Sequence, residues 1–381
     1  MPDGWLKYLP DDIPYKIYVG EYAAIGRPSL YSSLAEAAYL TGVERNADKV
    51  QMVSYAPLIE NAAHGKDHLL VLKNDSVYGR TNYYVLKMFS ENRPDVNLHT
   101  DLKPASPEPV FRTNGFIGLG TNNTEAQFKD LKVIVNGEEI YTSGWGDFVD
   151  KWTIIRGDWK TEGNLLSQSQ KGIDALAILE DREFDNCTIE LKAKKISGTE
   201  GFRIVFGGTD PNNYFMADIG SHTNESVIFR EVNNEGSISL FDYRNTASIK
   251  TDQWYTVRIE IEGAHWKCFL NDELQYEYTY APKKKHYVVS GYDRERKEVI
   301  VKLVNAEAGN WKVRLQLDKA KNLASKGTKI VLGADDRFDE NSFSDPLKIV
   351  PKVTELSGIS NEFTIDCQAN SLTVLRIPCE K

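Results

Sequence analysis

The feature that most constrains this chain is an alternation of strand and helix that runs for two units and then stops. The pattern predicts a buried strand at 16–19, a helix at 29–41, a second buried strand at 50–56 and a second helix at 82–91. This order is typical of a parallel α/β fold. Because a closed β/α barrel takes about 250 residues, two units can form only part of one.

The pattern changes after Pro104. From Gly115 onward, short runs of alternating apolar and polar residues are separated by Gly, Asn and Asp turns, which is typical of an antiparallel sandwich. From about His286 to Pro378 the same all-β signature recurs, so a second sandwich is expected. The clearest alternating runs are 132–135, 188–193, 202–206, 255–261, 298–304 and 371–377.

Glu21 is the first candidate for chemistry, because it follows directly on the strand predicted at 16–19. The carboxyl ends of parallel strands form the active face of a β/α barrel. Retaining glycosidases of this architecture use two carboxylates roughly 5 to 5.5 Å apart, one as nucleophile and one as acid/base. The pattern alone favours a plainer interpretation, in which Glu21 ends its strand in solvent or pairs with Arg27 or Arg45.

A longer resemblance gives Glu21 more weight. Residues 20–23 and the following 33–58 resemble the nucleophile strand and next barrel unit of the family 51 α-L-arabinofuranosidases, which are retaining sugar hydrolases. The segments 77–79 and 82–85 resemble the approach to the last barrel helix. The closing sandwich of the family is matched by 340–343, 361–364 and 371–376, so the resemblance covers 1–101 and 286–378.

The resemblance implies a role for three residues of this segment. Glu21 is the expected nucleophile that forms the glycosyl-enzyme intermediate. Tyr22 and Asn61 are placed to line the sugar subsite, with packing and turn chemistry as the alternatives. Where family members often carry a Trp-containing loop, 66–70 of this chain has no Trp, which affects the fine sugar specificity.

Three further polar residues of this segment are expected to be structural. Glu36, Glu44 and Arg45 lie on or just after the first predicted helix. We interpret each as a surface residue or as one partner of an ion pair between elements.

The family's other carboxylate is missing from this chain. Members carry the acid/base as the Glu of an Asn-Glu pair at the end of the fourth barrel strand, upstream of the nucleophile. The Asn-Glu pairs here are 224–225, 234–235 and 361–362, all in β regions. Since losing a proton-transfer partner costs about 10²–10⁴-fold in rate, the chain alone is expected to be a poor catalyst.

The middle region, about Gly115 to Tyr280, resembles the concanavalin-like jelly-roll insert of some longer family members. Such sandwiches often bind glycans, although a Trp in a β-sandwich is more often part of the core. Tyr214 is the best single candidate for a sugar contact. Five of the seven Trp residues fall here: Trp145, Trp152, Trp159, Trp254 and Trp266. A calcium site is an alternative use of Asp210, Asn212, Asn213 and Asp218, but no EF-hand-like spacing supports it.

These observations predict three domains. Residues 1–101 form the last two β/α units of a TIM barrel, 102–285 a concanavalin-like jelly-roll module, and 286–381 the C-terminal β-sandwich. Two barrel units expose apolar faces, so 1–101 is expected to pack on the sandwiches or on another chain. The fold class is mainly β with an N-terminal α/β segment.

Composition excludes several partners. A net charge of -9 with no Lys/Arg run longer than 283–285 argues against nucleic acid. No apolar run reaches about 18 residues and no signal peptide opens the chain, so neither a membrane nor a location is indicated, although an exported parent enzyme is compatible. The four cysteines lack metal-site spacing and are interpreted as free.

The predicted function is that of the C-terminal part of an α-L-arabinofuranosidase acting on arabinan or arabinoxylan, with no metal or organic cofactor. The expected partners are an arabinose-containing polysaccharide or oligosaccharide and the missing N-terminal barrel portion on another chain. The alternative is a non-catalytic fragment of such an enzyme, either carbohydrate-binding or purely structural.

Overall fold

The computed structural model describes residues 13–24, 28–64, 69–104, 110–234, 236–240, 247–318 and 320–379. The chain divides into two compact units. Unit 1 comprises 1–107 and 283–381, and unit 2 comprises 108–282. Unit 1 is therefore built from both ends of the chain, with unit 2 inserted between them. The four cysteines are all buried and free, as predicted.

The elements of unit 1 before the insertion begin with the predicted strand–helix order. They are β1 (Ile17–Tyr22), α1 (Leu30–Arg45), β2 (Val50–Tyr55), β3 (Ile59–Asn61), a 3-10 helix (Ala62–His64), β4 (Leu70–Lys73), β5 (Ser76–Gly79), α2 (Thr81–Glu91) and β6 (Val96–Leu98).

The elements of unit 2 are almost entirely strands. They are β7 (Asn114–Asn122), β8 (Thr124–Val135), β9 (Glu138–Ser143), α3 (Phe148–Lys151), β10 (Trp152–Arg156), β11 (Trp159–Glu162), β12 (Leu165–Gln168), β13 (Asp174–Asp185), β14 (Cys187–Gly198), β15 (Phe202–Asp210), β16 (Asn213–Gly220), α4 (Ser221–Asn224), β17 (Ser226–Asn233), β18 (Gly236–Leu240), β19 (Trp254–Glu262), β20 (His265–Leu270) and β21 (Glu273–Thr279).

Unit 1 resumes after the insertion with strands only. They are β22 (His286–Asp293), β23 (Glu298–Asn305), β24 (Trp311–Gln316), β25 (Lys326–Gly333), β26 (Lys352–Ser357), β27 (Glu362–Cys367) and β28 (Ser371–Pro378).

The part of unit 1 that precedes the insertion has the predicted order of strand, helix, strand and helix. β1 and β2 form a two-stranded parallel sheet in which Val19 lies opposite Val53 and Tyr22 opposite Tyr55. Helix α1 begins at a capping box, in which the backbone N–H groups and side chains of Ser29 and Ser32 satisfy each other. Both predicted strands and both predicted helices are present.

One part of this segment was not predicted. Strands β3, β4 and β5 form a small sheet between β2 and α2, with β3 parallel to β4 and β4 antiparallel to β5. The strands have only three or four residues each, which is too short for a clear period-two pattern.

The C-terminal part of unit 1 is a sandwich whose main sheet is covered on both faces. Six strands run in the order β26-β25-β28-β23-β22-β6, and β24 pairs separately with β27. One face of the six-stranded sheet shares a core with β24 and β27, and it includes Val301, Phe363 and Ile365. The other face packs on α1 and α2, where Leu34 and Phe89 meet Ile300, Val304 and Val374. The expectation that 1–101 packs on a sandwich is confirmed for the described residues.

Unit 2 is a two-sheet antiparallel sandwich. One sheet has the order β10-β13-β7-β15-β16-β17-β18 and the other β11-β12-β8-β14-β19-β20-β21, with β9 added beside β8. The core between them is rich in aromatic rings, among which Trp266 is fully buried and lies 5.0 Å from Phe206 and 5.5 Å from Phe229. The mainly β fold class predicted from the alternating runs is confirmed. The three-domain division stays a prediction.

Candidate functional site

Glu21 lies where the carboxyl ends of β1 and β2 meet. It is the fifth residue of β1 and its side chain is exposed. Neighbouring residues of a strand point to opposite faces, so Glu21 and Tyr22 face different sides of the small parallel sheet. The predicted nucleophile is therefore accessible, and its neighbour turns toward the helices.

Tyr22 is part of an aromatic group behind the strand end. Its ring lies 5.1 Å from that of Tyr39 on α1 and 5.3 Å from that of Tyr55 on β2, the second contact being edge-to-face. Burial, and then the nearby Glu36 carboxyl, raise the pKa of Tyr22. The Tyr22 ring therefore packs against other aromatic rings, which was the expected alternative to a sugar contact. A sugar contact by Tyr22 stays a prediction.

Glu36 is the residue that sequence reasoning misjudged. The prediction of a surface residue or an ion pair was wrong, because its side chain on α1 is only 4% exposed and hydrogen-bonded to uncharged groups. Its Oε1 accepts the backbone N–H of Ala24 at 3.0 Å and the hydroxyl of Tyr55 at 3.3 Å. Burial raises the pKa of Glu36 to about 7, against the lowering effect of hydrogen bonds from Ala24, Asn82 and Tyr55.

Asn82, in the first turn of α2, extends this cluster. Its Nδ2 donates to the Tyr55 hydroxyl at 2.7 Å. Two buried polar atoms here, the Tyr22 hydroxyl and Asn82 Oδ1, have no hydrogen-bond partner among the described residues. We call Tyr22, Glu36, Tyr55 and Asn82 the strand-end cluster, because it lies behind the ends of β1 and β2.

A second, partly buried carboxyl fixes the start of α2. Glu340 accepts the backbone N–H of Thr81 at 2.8 Å, the Thr81 hydroxyl at 3.0 Å and the N–H of Asn341 at 2.7 Å. Burial is the main cause of its raised pKa. Glu340 therefore ties the first turn of α2 to the loop after β25.

Asn61 is exposed at the end of β3, where its Oδ1 accepts the backbone N–H of Ala63 at 3.0 Å. This contact is the turn chemistry that was expected as one alternative. A role in sugar binding stays a prediction. Residues 66–68 of the neighbouring Trp-free loop lie outside the described residues.

Glu44 and Arg45 have the structural roles that were predicted for them, an ion pair between elements and a surface position. Glu44 forms an ion pair with Lys302 of β23, which joins two elements. Arg45 donates through Nη2 to the carbonyl of Val288 at 3.0 Å.

Neither Glu225 nor Glu362 of the Asn-Glu pairs belongs to the strand-end cluster, and Glu235 lies outside the described residues. Glu362 is an exposed residue of β27 that pairs with Arg314 at 2.7 Å. Glu225 lies in unit 2, at the end of the short helix α4. The strand-end cluster contains one carboxyl group, that of Glu36, and it accepts hydrogen bonds from a backbone N–H and a hydroxyl.

The aromatic residues of unit 2 are mostly core. Four of the five Trp residues are buried, and only Trp254 is partly exposed, with Lys129 Nζ at 4.4 Å and Lys194 Nζ at 5.0 Å from its ring centroid. Tyr214 of β16 is 5% exposed and belongs to a small apolar group that also includes Leu176 and Val205. Its predicted sugar contact remains a prediction. The buried Trp residues are Trp145, Trp152, Trp159 and Trp266.

The four residues considered for calcium do not share one site, because Asp210 and Asp218 have different partners. Asp210 accepts the N–H of Asn212 and the Nδ2 of Asn213, as in a turn. Asp218 is buried between Arg203 at 3.1 Å and Arg230 at 2.6 Å. Burial opposes the ionisation of Asp218, but the two guanidinium groups outweigh it and lower its pKa. Within the described ranges no group of three or more acidic, His or Cys side chains could hold a metal ion.

The helices of the described ranges do not include one that is both long and apolar enough to cross a membrane.

Comparison with known proteins matches this chain to part of the α-L-arabinofuranosidases. The model of the α-L-arabinofuranosidase C-terminal domain family matches residues 20–371. The extracellular exo-α-L-arabinofuranosidase of Streptomyces chartreusis is 28% identical over 368 residues, which are 95% of this chain and 44% of that protein. α-L-Arabinofuranosidase 1 of Arabidopsis thaliana is 32% identical over 186 residues, which are 45% of this chain and 27% of that protein. The chain thus spans less than half the length of these relatives.

One solved structure overlaps most of the chain at low similarity. The thermostable family 51 α-L-arabinofuranosidase from Thermotoga petrophila RKU-1 matches 95% of this chain and 43% of its own, at 10% identity and a TM-score of 0.42. An overlap at this TM-score carries no further argument.

Proposed function

This chain belongs to the α-L-arabinofuranosidase C-terminal domain family and corresponds to the C-terminal portion of family 51 enzymes, and on that premise we propose that it supplies the nucleophile, Glu21, of a retaining α-L-arabinofuranosidase. The substrate class is terminal arabinofuranosyl residues of arabinan or arabinoxylan. The observation that supports this most is the exposed carboxylate of Glu21 at the carboxyl end of a parallel strand.

The proposed reaction is a double displacement. A carboxylate oxygen of Glu21 forms a bond to the anomeric carbon while the bond from that carbon to the leaving oxygen breaks, and an acid/base carboxyl protonates the leaving oxygen. The same acid/base then takes a proton from water, which attacks the anomeric carbon and releases Glu21. The acid/base comes from outside this chain.

The small parallel sheet supports a partner that completes the barrel. β1 and β2 are only two of the eight strands that a barrel needs. Tyr18 on β1 is 54% exposed and Met52, which lies opposite it on β2, is 56% exposed. Neighbouring exposed apolar side chains of this kind mark interaction surfaces when they form a continuous patch. The proposed partner is a polypeptide segment with the other six β/α units, including the acid/base.

The test uses a substrate whose leaving group departs without being protonated. Dinitrophenolate leaves without protonation, so a 2,4-dinitrophenyl α-L-arabinofuranoside allows Glu21 to react in the absence of the acid/base. Because release of the sugar by water still needs a base, the glycosyl-enzyme should accumulate on the chain. Peptide mass spectrometry should find one arabinosyl group on Glu21.

Two variants make this test specific. Glu21→Gln should take up no sugar, whereas Glu91→Gln, which changes an exposed carboxylate at the end of α2, should label like the unaltered chain. Absence of label, or label on another carboxylate, would disprove the role of Glu21. Steady turnover of an unactivated aryl arabinofuranoside by the chain alone, abolished by Glu21→Gln, would show that an acid/base is present after all.

A further inference from the structure

The backbone that follows Glu21 is held by a buried side chain. The N–H of Ala24, three residues after Glu21, donates to Glu36 Oε1 at 3.0 Å. Ala24 has no other hydrogen bond that would fix this N–H among the described residues. The position of the strand end therefore depends on a carboxyl group on the next helix.

The same carboxyl connects three elements at one point. The Tyr55 hydroxyl, at the end of β2, donates to Glu36 at 3.3 Å and accepts from Asn82 of α2 at 2.7 Å. Tyr55 also lies opposite Tyr22 in the parallel pairing. Through Glu36, the ends of β1 and β2 and the start of α2 are held in a fixed arrangement.

A carboxyl in this position is expensive to keep. Within the described ranges, the titratable groups that face it are Tyr22 of β1, Tyr55 of β2 and Glu340 of the loop after β25, and none of these is a cation. Burial removes the water around a carboxyl group, and without a basic partner few interactions compensate for that loss. Such unfavourable placements concentrate at functional sites, and this one lies directly behind the proposed nucleophile.

We propose that Glu36 is a positioning residue for Glu21, holding the end of β1 through the N–H of Ala24 so that the nucleophile carboxylate meets the anomeric carbon. The inference rests on the proposed function of Glu21. A misplacement of about 1 Å costs on the order of 10²-fold in rate, which is the scale of effect available to Glu36.

The first experiment measures the hold itself and needs no substrate. Hydrogen–deuterium exchange of the Ala24 amide is compared in the unaltered chain, Glu36→Gln and Glu36→Leu. Gln keeps an oxygen for the N–H, while Leu removes it at similar volume. Protection of Ala24 should fall roughly tenfold in Glu36→Leu and stay within about threefold in Glu36→Gln.

The matched control is Glu44→Gln, on the same helix. Glu44 is also largely buried, but it pairs with Lys302 and not with β1. Its substitution should lower global stability without a selective loss at Ala24. If Glu36→Leu leaves Ala24 protection unchanged, or if Glu44→Gln lowers it equally, the proposal fails.

A pH comparison covers the case in which Glu36→Leu does not fold. Relative to Glu36→Gln, the unaltered chain should protect Ala24 several-fold less well at pH 8 than at pH 6, because only its Glu36 ionises across this range and the opening that frees the Ala24 N–H also hydrates the carboxylate. A ratio that does not change with pH would overturn the proposal.

The second experiment measures positioning by the rate at which the dinitrophenyl arabinofuranoside labels Glu21. Glu36→Leu should label about 10- to 100-fold more slowly, Glu36→Gln should recover most of the rate, and Glu44→Gln should match the unaltered chain. Equal losses in Glu36→Leu and Glu36→Gln would contradict positioning. If the unaltered chain never labels at Glu21, the proposed function fails, and the exchange experiment alone decides the role of Glu36.

Discussion

At the residue scale, Glu36 links the strand-end cluster to the stability of unit 1. Burial raises its pKa from an ordinary value of 4.5 to about 7. The folded state therefore binds a proton that the unfolded state releases between these two values. The resulting stabilisation is fully present below about pH 4.5 and is lost as the pH rises through about 7.

Glu36→Gln should remove this pH dependence. One pKa unit corresponds to about 1.4 kcal/mol, so the shift at Glu36 corresponds to about 3 kcal/mol between acidic and alkaline conditions. Urea unfolding at pH 5, 6, 7 and 8 should show the variant gaining stability relative to the unaltered chain as the pH rises. Glu91→Gln, at an exposed site, serves as the control. A constant difference across the series would contradict the expectation.

The residues of the site differ in how far the sequence could identify them. The position of Glu21 at the end of β1 was predictable, because an apolar run ends directly before it. Its role as nucleophile stays a prediction. Glu36 was not predictable from its local pattern. A Glu among alanines on a helix is usually solvated, and its burial comes from contacts with Ala24, Tyr55 and Asn82, which are distant in the sequence.

At the scale of elements, a buried ion pair joins α1 to the six-stranded sheet. β23 is buried on both sides, with Val301 and Leu303 toward β24 and β27 and Ile300 and Val304 toward the helices. Lys302 lies on the helix-facing side, where it is 1% exposed and bound to Glu44. Burial is the main cause both of the lowered pKa of Lys302 and of the raised pKa of Glu44.

Lys302→Met should therefore destabilise unit 1 because it leaves Glu44 without its main partner. Breaking such a pair from one side typically costs 3–5 kcal/mol. We expect about 3 kcal/mol at pH 8, at the lower end because Arg93 is also near Glu44. The double variant Glu44→Leu, Lys302→Met should recover most of the loss in urea unfolding. A double variant no more stable than Lys302→Met would rule out this account.

The elements themselves show where pattern reasoning succeeds. The run 298–304 is nearly all apolar and became a strand covered on both faces, with its one lysine neutralised by a helix residue. The strands β3 to β5 were missed because Ile59, Leu72 and Val77 are exposed, so their apolar character does not report a buried face.

At the scale of the whole molecule, unit 2 is inserted between adjacent points of unit 1. β6, before the insertion, pairs with β22, after it, and Leu98 lies opposite Ser290. The hydroxyls of Thr100 and Ser290 are 2.7 Å apart. The chain therefore leaves and re-enters unit 1 at neighbouring positions, an arrangement in which insertions are well tolerated.

Unit 2 should accordingly be removable. Joining Thr100 to Lys285 through a short Gly/Ser linker retains β6, β22 and both cores of unit 1. Residues 108–282 produced alone retain the aromatic core of unit 2. Because a domain with its own core folds independently, each piece should give a cooperative thermal transition by circular dichroism.

The shortened unit 1 also separates structure from function. It retains Glu21 and the strand-end cluster, so its labelling by the dinitrophenyl arabinofuranoside should proceed at the rate seen with the intact chain, while 108–282 should take up no label. A shortened unit 1 that folds but labels much more slowly would show that unit 2 contributes to the site. One that fails to fold while 108–282 folds normally would show that the insertion stabilises the segment that bears the nucleophile.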